Sequence, residues 1–127
     1  MTVSDPIEMV DRLGAANLSR DVSAVLACFV PEDDITFAGP ATGESATGRG
    51  PVEKLLTELF ARPAPYGWQA AAATVHTVPG GAFVLADADA ERHVAGGATD
   101  AFPCRVTGLL SRRASGVWLW RAVQLSL

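Results

Sequence analysis

The segment from Asn17 to Phe60 passes from an amphipathic helix through a short strand into a second amphipathic helix. That order commits the chain to a fold mixing helices with sheet. Upstream, Asp5-Pro6-Ile7-Glu8 has the form of a capping box with proline at the first helical position, so a helix is predicted from there to about Asn17. Ile7, Val10 and Leu13 give it one apolar stripe, and Gly14-Ala15-Ala16 keep its surface low for close packing. Ser19 is then positioned to cap a second helix with Val22, Val25, Leu26 and Phe29 at i, i+3, i+4 and i+7, ended by Pro31. A strand follows around Ile35 to Phe37. The Gly/Pro/Ser/Thr-rich stretch Gly39 to Gly50 reads as a loop, and Pro51 opens a third helix with Val52, Leu55, Leu56, Leu59 and Phe60 inward, terminated by Pro63 and Pro65.

From Tyr66 onward the pattern changes. Turn signals at Pro79-Gly80-Gly81, Gly96-Gly97 and Ala114-Ser115-Gly116 divide the rest of the chain into four runs of strand length. Four consecutive alanines, Ala70 to Ala73, favour helix by propensity, but Tyr66, Trp68, Val75 and Val78 flank them and a hairpin turn follows, so strand is preferred. The expectation is α+β: three N-terminal helices on one face of a curved, mixed and mostly antiparallel sheet of about five strands, with residues 1–127 forming one domain.

Composition narrows the function. Net charge is −4 and the ten basic residues are scattered apart from Arg112-Arg113, which disfavours nucleic acid as a partner. The N-terminus has no basic or apolar leader region, and no apolar run approaches the roughly 18 residues of a membrane span, so a soluble cytoplasmic protein without membrane contact is expected. Cys28 and Cys104 lie in apolar segments far apart and are expected to be buried thiols.

The order helix, helix, strand, loop, helix and four strands resembles the NTF2-like superfamily, in particular the SnoaL-like domains related to ketosteroid isomerase and polyketide cyclases. The residues that carry the resemblance are Asn17 to Phe29, the acidic turn and strand Asp33-Asp34-Ile35-Thr36-Phe37, the glycine entry Thr47-Gly48 with Gly50-Pro51-Val52, and Gly116-Val117-Trp118 with Ser126 closing the chain. The resemblance implies a cone that encloses an apolar pocket at its wide end, and a homodimer packed through the sheet face. It also implies where polar groups belong. The carboxylate base of a steroid isomerase corresponds to Gly39, its oxyanion-binding tyrosine to Leu13, and the histidine of the last strand in many SnoaL-like relatives to Gln124. With the tyrosine and carboxylate missing, ketosteroid isomerase chemistry is disfavoured.

Other residues offer acid-base chemistry. Asp87, Asp89 and Glu91 alternate along one strand and share a face beside His93, and clustered carboxylates can raise one another's pKa. The cheaper arrangement turns Ala86, Ala88 and Ala90 toward the helices and the acids toward water, since an unpaired buried carboxylate is costly. Should one acid enter the pocket, Asp87 or Asp89 is the candidate catalytic group, and His76 is a further candidate base whose ordinary role in a strand is structural or exposed. No ligand spacing supports a metal, no glycine-rich loop cradles phosphate, and no cofactor is expected. The predicted pocket wall comprises Phe29, Phe37, Leu56, Phe60, Trp68, Phe102, Trp120 and Gln124, with simple core packing as the alternative for each aromatic. The last strand alternates Trp118, Trp120, Ala122, Gln124 and Ser126 against Leu119, Arg121, Val123, Leu125 and Leu127, which predicts cover on both faces. Three functions remain open: binding of a small cyclic or lipophilic molecule, a cyclase, isomerase or hydratase activity on such a molecule, and a dimerisation module without catalysis.

Overall fold

The computed structural model describes residues 5–127, the side chain of Ala95 apart. The chain runs α1 (Pro6–Ser19), α2 (Val22–Leu26), β1 (Thr36–Ala38), β2 (Ser45–Thr47), α3 (Arg49–Phe60), β3 (Tyr66–Val78), β4 (Gly81–His93), β5 (Thr99–Arg112) and β6 (Trp118–Ser126), with a single 3-10 turn at Ala95–Gly97. The sheet has six strands in the order β2-β1-β6-β5-β4-β3, every pair antiparallel except β1 with β6. The α+β architecture is therefore as predicted, with one strand more than expected. That strand, β2, lies inside the stretch read as pure loop; Gly43 at φ 89° turns the chain, and Ser45-Ala46-Thr47 returns along β1.

Local chemistry sets the helix ends. Asp5 caps α1 by accepting from the Ile7 amide at 2.9 Å. The helix then runs past Asn17 to Ser19 and stops at Arg20, whose left-handed φ of 55° breaks it. Ser19 therefore ends α1 instead of capping α2. Asp21 does the capping, accepting from Ala24 N at 3.3 Å, and α2 is a short helix ending before Phe29. In the segment beyond α2, Val30 N donates to the Trp120 carbonyl and Trp120 N to that of Cys28, so Phe29 is held beside β6. For α3 the cap is remote: the Asp33 carboxylate accepts from Arg49 N at 3.0 Å.

The core lies between the three helices and the concave face of the sheet. On β4 the buried residues are Ala82, Val84, Ala86, Ala88 and Ala90, small enough for α1 to lie close, while Phe83, Leu85, Asp87, Asp89 and Glu91 point to the opposite face. A bulge at Ala71, where Ala70 pairs Ala88 and Ala72 pairs Asp87, lets β3 bend around α1; Asp11 of α1 accepts from Ala70 N at 2.7 Å beside it. The alanine run is thus strand, anchored where it departs from regular pairing.

A second bulge corrects the predicted alternation of β6. Leu109 pairs Ala122 and Leu110 pairs Trp120, which leaves Arg121 as the extra residue and reverses the parity of the strand there. Trp118 and Trp120 consequently share the concave face with Val123 and Leu125, all buried, and Gln124 points outward to solvent. The two apolar faces inferred from strict alternation are one face. Apolar exposure on the outer surface comes instead from Phe83, Leu85 and Leu109, which are 39%, 36% and 37% exposed. Cys28 is buried and Cys104 half-buried, both free thiols. Among the described residues no helix is long and apolar enough to cross a membrane.

Candidate active site in the mouth of the cone

A cavity of about 240 Å³ opens between the ends of α1 and α3 and one end of the sheet. Its floor and walls are Phe37 in the middle of β1, Leu59 and Phe60 at the end of α3, Tyr66 at the start of β3 and Phe102 near the start of β5. Asn17 and Arg20 from the end of α1, Pro40 and Glu44 from the β1–β2 connection, Arg92 from the end of β4 and Leu127 complete it with the segment Arg62–Pro65. That last segment is a strap. Pro63 and Pro65 stop α3 from continuing, and Ala64 between them takes a left-handed φ of 65°, a strained conformation for a residue with a Cβ. Arg20 pins the strap from one side by donating from Nη1 to the carbonyls of Phe60 at 3.2 Å and Arg62 at 2.7 Å; His93 N donates to the Pro65 carbonyl from the other.

Besides its arginines, two titratable side chains line this cavity, Glu44 and Tyr66. Glu44 has a side chain only 14% exposed, and its carboxylate is oriented by two donors: Ala41 N to Oε1 at 3.0 Å and Arg62 Nη1 to Oε2 at 2.6 Å. Its position relates directly to Gly39. A Cβ placed on Gly39 would lie 2.9 Å from Glu44 Oε1, so the glutamate reaches across the hairpin into the space that a side chain at residue 39 would enter. Tyr66 is the second group. Burial pushes its phenol up to about 12, with the negative charges of Glu44 and Cys104 adding to the rise. Its ring contacts Trp68 and Phe102 at centroid distances of 6.0 and 6.2 Å, and its backbone carbonyl accepts from Asn17 Nδ2 at 2.8 Å. The hydroxyl makes no protein hydrogen bond among the described residues, which leaves it free for a ligand.

The predicted site residues divide three ways. Phe37, Phe60 and Phe102 line the cavity. Phe29, Leu56, Trp68 and Trp120 are core: all four are buried, and the indoles donate to main-chain carbonyls of α1, Trp68 to Val10 at 2.9 Å and Trp120 to Met9 at 3.2 Å. Asp87, Asp89, His76 and Gln124 lie on the outer face, away from the cavity. Asp87 is paired there with Arg105 at 3.1 Å, and His76 sits opposite Phe83 in the β3–β4 ladder. The carboxylates are outside because the small alternate residues of β4 are needed under α1. Leu13 is fully buried, and the residue of α1 that lines the cavity is Asn17. Among the described residues no group of three histidine, cysteine or carboxylate side chains is placed to hold a metal.

Sequence reasoning missed Glu44, Asn17, Arg20, Arg62 and Arg92, and used Tyr66 only as a strand marker. One signal was present: Glu44 is the lone acid between Asp34 and Glu53, five residues beyond the glycine where a carboxylate was sought.

The sequence profile of the SnoaL-like domain matches residues 7–127. The chain belongs to the SnoaL-like family. No curated protein matches it significantly. Solved structures with the same fold are numerous. ActVI-ORFA from Streptomyces coelicolor superposes with a TM-score of 0.76 at 18% identity, over 94% of this chain and 92% of that one. A ketosteroid isomerase-like protein from Erwinia carotovora gives 0.67 at 21%, over 94% and 90%. An NTF2-like superfamily protein from Salmonella enterica gives 0.75 at 14%, over 94% and 86%. At these identities what is shared with this SnoaL-like chain is the fold, and the chemistry rests on its own residues.

Proposed function

We propose that this SnoaL-like protein binds a small cyclic, lipophilic molecule in the mouth of its cone and moves a proton on it, as an isomerase, cyclase or dehydratase does. The observation that carries the reading is the Glu44 carboxylate, held by two donors in the space that Gly39 leaves open inside an aromatic-walled cavity. Size supports a ligand of one or two rings. An apolar cavity of about 150 Å³ takes up benzene, while drug-sized ligands fill about 300 Å³ and more.

In the proposed step the carboxylate takes a proton from carbon next to a carbonyl. The C–H bond breaks, its electron pair moves to the carbonyl oxygen, and the Tyr66 hydroxyl donates a hydrogen bond to that oxygen as it gains charge. Return of the proton to another carbon isomerises the ligand; loss of a β-hydroxyl as water dehydrates it. Asp87, Asp89 and His76 have no part in this scheme, because they stand on the outer face. A ligand-binding role without turnover is favoured by one observation, the 2.6 Å pairing of Glu44 with Arg62, which occupies one carboxylate oxygen.

The test uses β-tetralone, a two-ring ketone with exchangeable protons beside its carbonyl. In heavy water, the protein should accelerate deuterium uptake, read by proton magnetic resonance. Glu44→Gln should lower the rate by about 10²–10⁴-fold while the thermal shift produced by β-tetralone persists. Binding with unchanged exchange in Glu44→Gln would sink the catalytic part and leave the binding part standing. For assembly we propose a homodimer through the outer sheet face, supported by the exposed cluster of Phe83, Leu85 and Leu109, in which Phe83 and Leu109 are cross-strand neighbours.

A further inference from the structure

We infer that the molecule taken up in the mouth of the cone is an anion, a carboxylate carried on a one- or two-ring apolar body. The inference rests on the reading of this cavity as the ligand site and adds the charge of what enters it. The chain as a whole is acidic, −4, with only ten basic residues. Three of those ten, Arg20, Arg62 and Arg92, line this one cavity, against one lining side-chain carboxylate, that of Glu44.

Each arginine is placed differently, and two are incompletely neutralised. Arg62 is spent on Glu44 at 2.6 Å. Arg20 is held rigidly through Nη1 by two main-chain carbonyls, which carry no net charge, and among the described residues its Nε and Nη2 make no hydrogen bond. Arg92 lies over the ring of Phe102 with 5.4 Å from guanidinium carbon to centroid, so an aromatic wall of the cavity holds it at the rim. Its one acidic partner among the described residues is Asp100 at 3.4 Å, a long contact between half-exposed side chains, and such pairs contribute little.

The residue type is informative. A guanidinium presents paired N–H donors in a plane, which match the two oxygens of a carboxylate, and two of these three are already fixed in place, one by carbonyls and one by an aromatic ring. Fixing them in advance reduces the entropy lost when a ligand binds. The apolar residues Phe37, Phe60, Tyr66 and Phe102 receive the ring body behind that charged rim. Low polarity behind the rim strengthens the attraction of the arginines for an anion compared with the same charges in open water.

The experiment compares two planar probes of nearly equal shape, β-naphthoate and the neutral methyl β-naphthyl ketone, by titration calorimetry against the full chain. Naphthoate should bind at least about tenfold more tightly, equivalent to about 1.4 kcal/mol. Arg92→Gln should cut that preference several-fold while leaving the affinity for the ketone as it was; Arg92→Lys, which keeps the charge but not the fork, should fall between. Equal or tighter binding of the ketone by the wild-type protein overturns the anion assignment and leaves the cavity as a ligand site. Absence of binding by both probes overturns the ligand site and the anion assignment together.

Discussion

Replacing Gly14 by alanine should destabilise the protein, although in an isolated helix the same change stabilises by up to about 1 kcal/mol. At this point α1 and β3 touch through their backbones. A Cβ on Gly14 would lie 2.2 Å from the Trp68 carbonyl oxygen and 2.8 Å from its Cδ1, and a Cβ on Gly67 would lie 2.5 Å from the Gly14 carbonyl oxygen. To regain an ordinary separation of about 3.5 Å, the helix has to withdraw from the strand by about 1 Å. That displacement stretches three bonds that fasten α1 to β3: Asn17 Nδ2 to the Tyr66 carbonyl at 2.8 Å, Ala70 N to Asp11 at 2.7 Å and Trp68 Nε1 to the Val10 carbonyl at 2.9 Å. At about 1 kcal/mol each the loss is about 3 kcal/mol, against which the helix gains up to about 1, leaving a net destabilisation of about 2 kcal/mol. For a chain of this length that is a melting point lower by roughly 6–10 °C. Urea unfolding followed by tryptophan fluorescence measures it, with Gly50→Ala as the matched control. Gly50 is also helical, but a Cβ there meets nothing within 4 Å, so its substitution should be neutral or stabilising. If both alanine variants gain stability alike, the two backbones are not in contact and the account of how α1 seats Tyr66 fails.

Tyr66 is the single tyrosine of the chain, so the ultraviolet absorbance of tyrosinate reports on it alone. With its phenol pushed up to about 12 in the folded state against about 10 when unfolded, the unfolded state releases its proton first, and stability is intact below pH 10 and falls as pH rises toward 12; a native titration midpoint near 10 would contradict its burial. Leu85→Glu, in the middle of the exposed outer face, should convert a dimer to a monomer in sedimentation equilibrium, and a wild-type mass equal to one 13.2 kDa chain would remove the proposed interface. Asp87→Asn, Asp89→Asn and His76→Gln should each leave deuterium exchange into β-tetralone within about twofold of wild type, since outward-facing groups cannot supply the 10²–10⁴ of a general base; a large loss in any of them would move the chemistry to the other side of the sheet.

What was legible in the sequence was whatever periodicity and turn chemistry express. Pro6, Pro51 and Pro63 mark helix boundaries within three residues of where they fall, and the glycine turns separate β3 to β6. Alternation also put Ala86, Ala88 and Ala90 on one face and Asp87, Asp89 and Glu91 on the other, and their small size against the helices left the acids in water. Alternation failed at Arg121, where one inserted residue reversed the register, and nothing in Trp-Leu-Trp-Arg-Ala-Val marks the insertion. The site failed for a related reason. A carboxylate was sought at Gly39 and Glu44 is five residues away in sequence, but β1 and β2 fold back so that Gly39 N donates to the Glu44 carbonyl at 2.6 Å. Likewise Arg20 follows α1, Arg62 follows α3 and Arg92 lies near the end of β4, and only tertiary structure gathers them.

The parallel pairing of β1 with β6 has a consequence for the order in which the molecule is made. Thr36 and Phe37 pair early with Thr47 and Ala46 of β2, but on their other side they must wait for Ala122 and Val123. At a ribosomal pace of roughly 5–20 residues per second, that is a wait of several seconds to more than ten. During it the edge of β1 that β6 will cover stays bare, and β3 to β5 can zip together by local hairpins without it. The wall carrying Phe37 and Glu44 is therefore joined to the wall carrying Tyr66, Arg92 and Phe102 only when the last strand arrives between them. Completion of the cavity thus coincides with completion of the sheet.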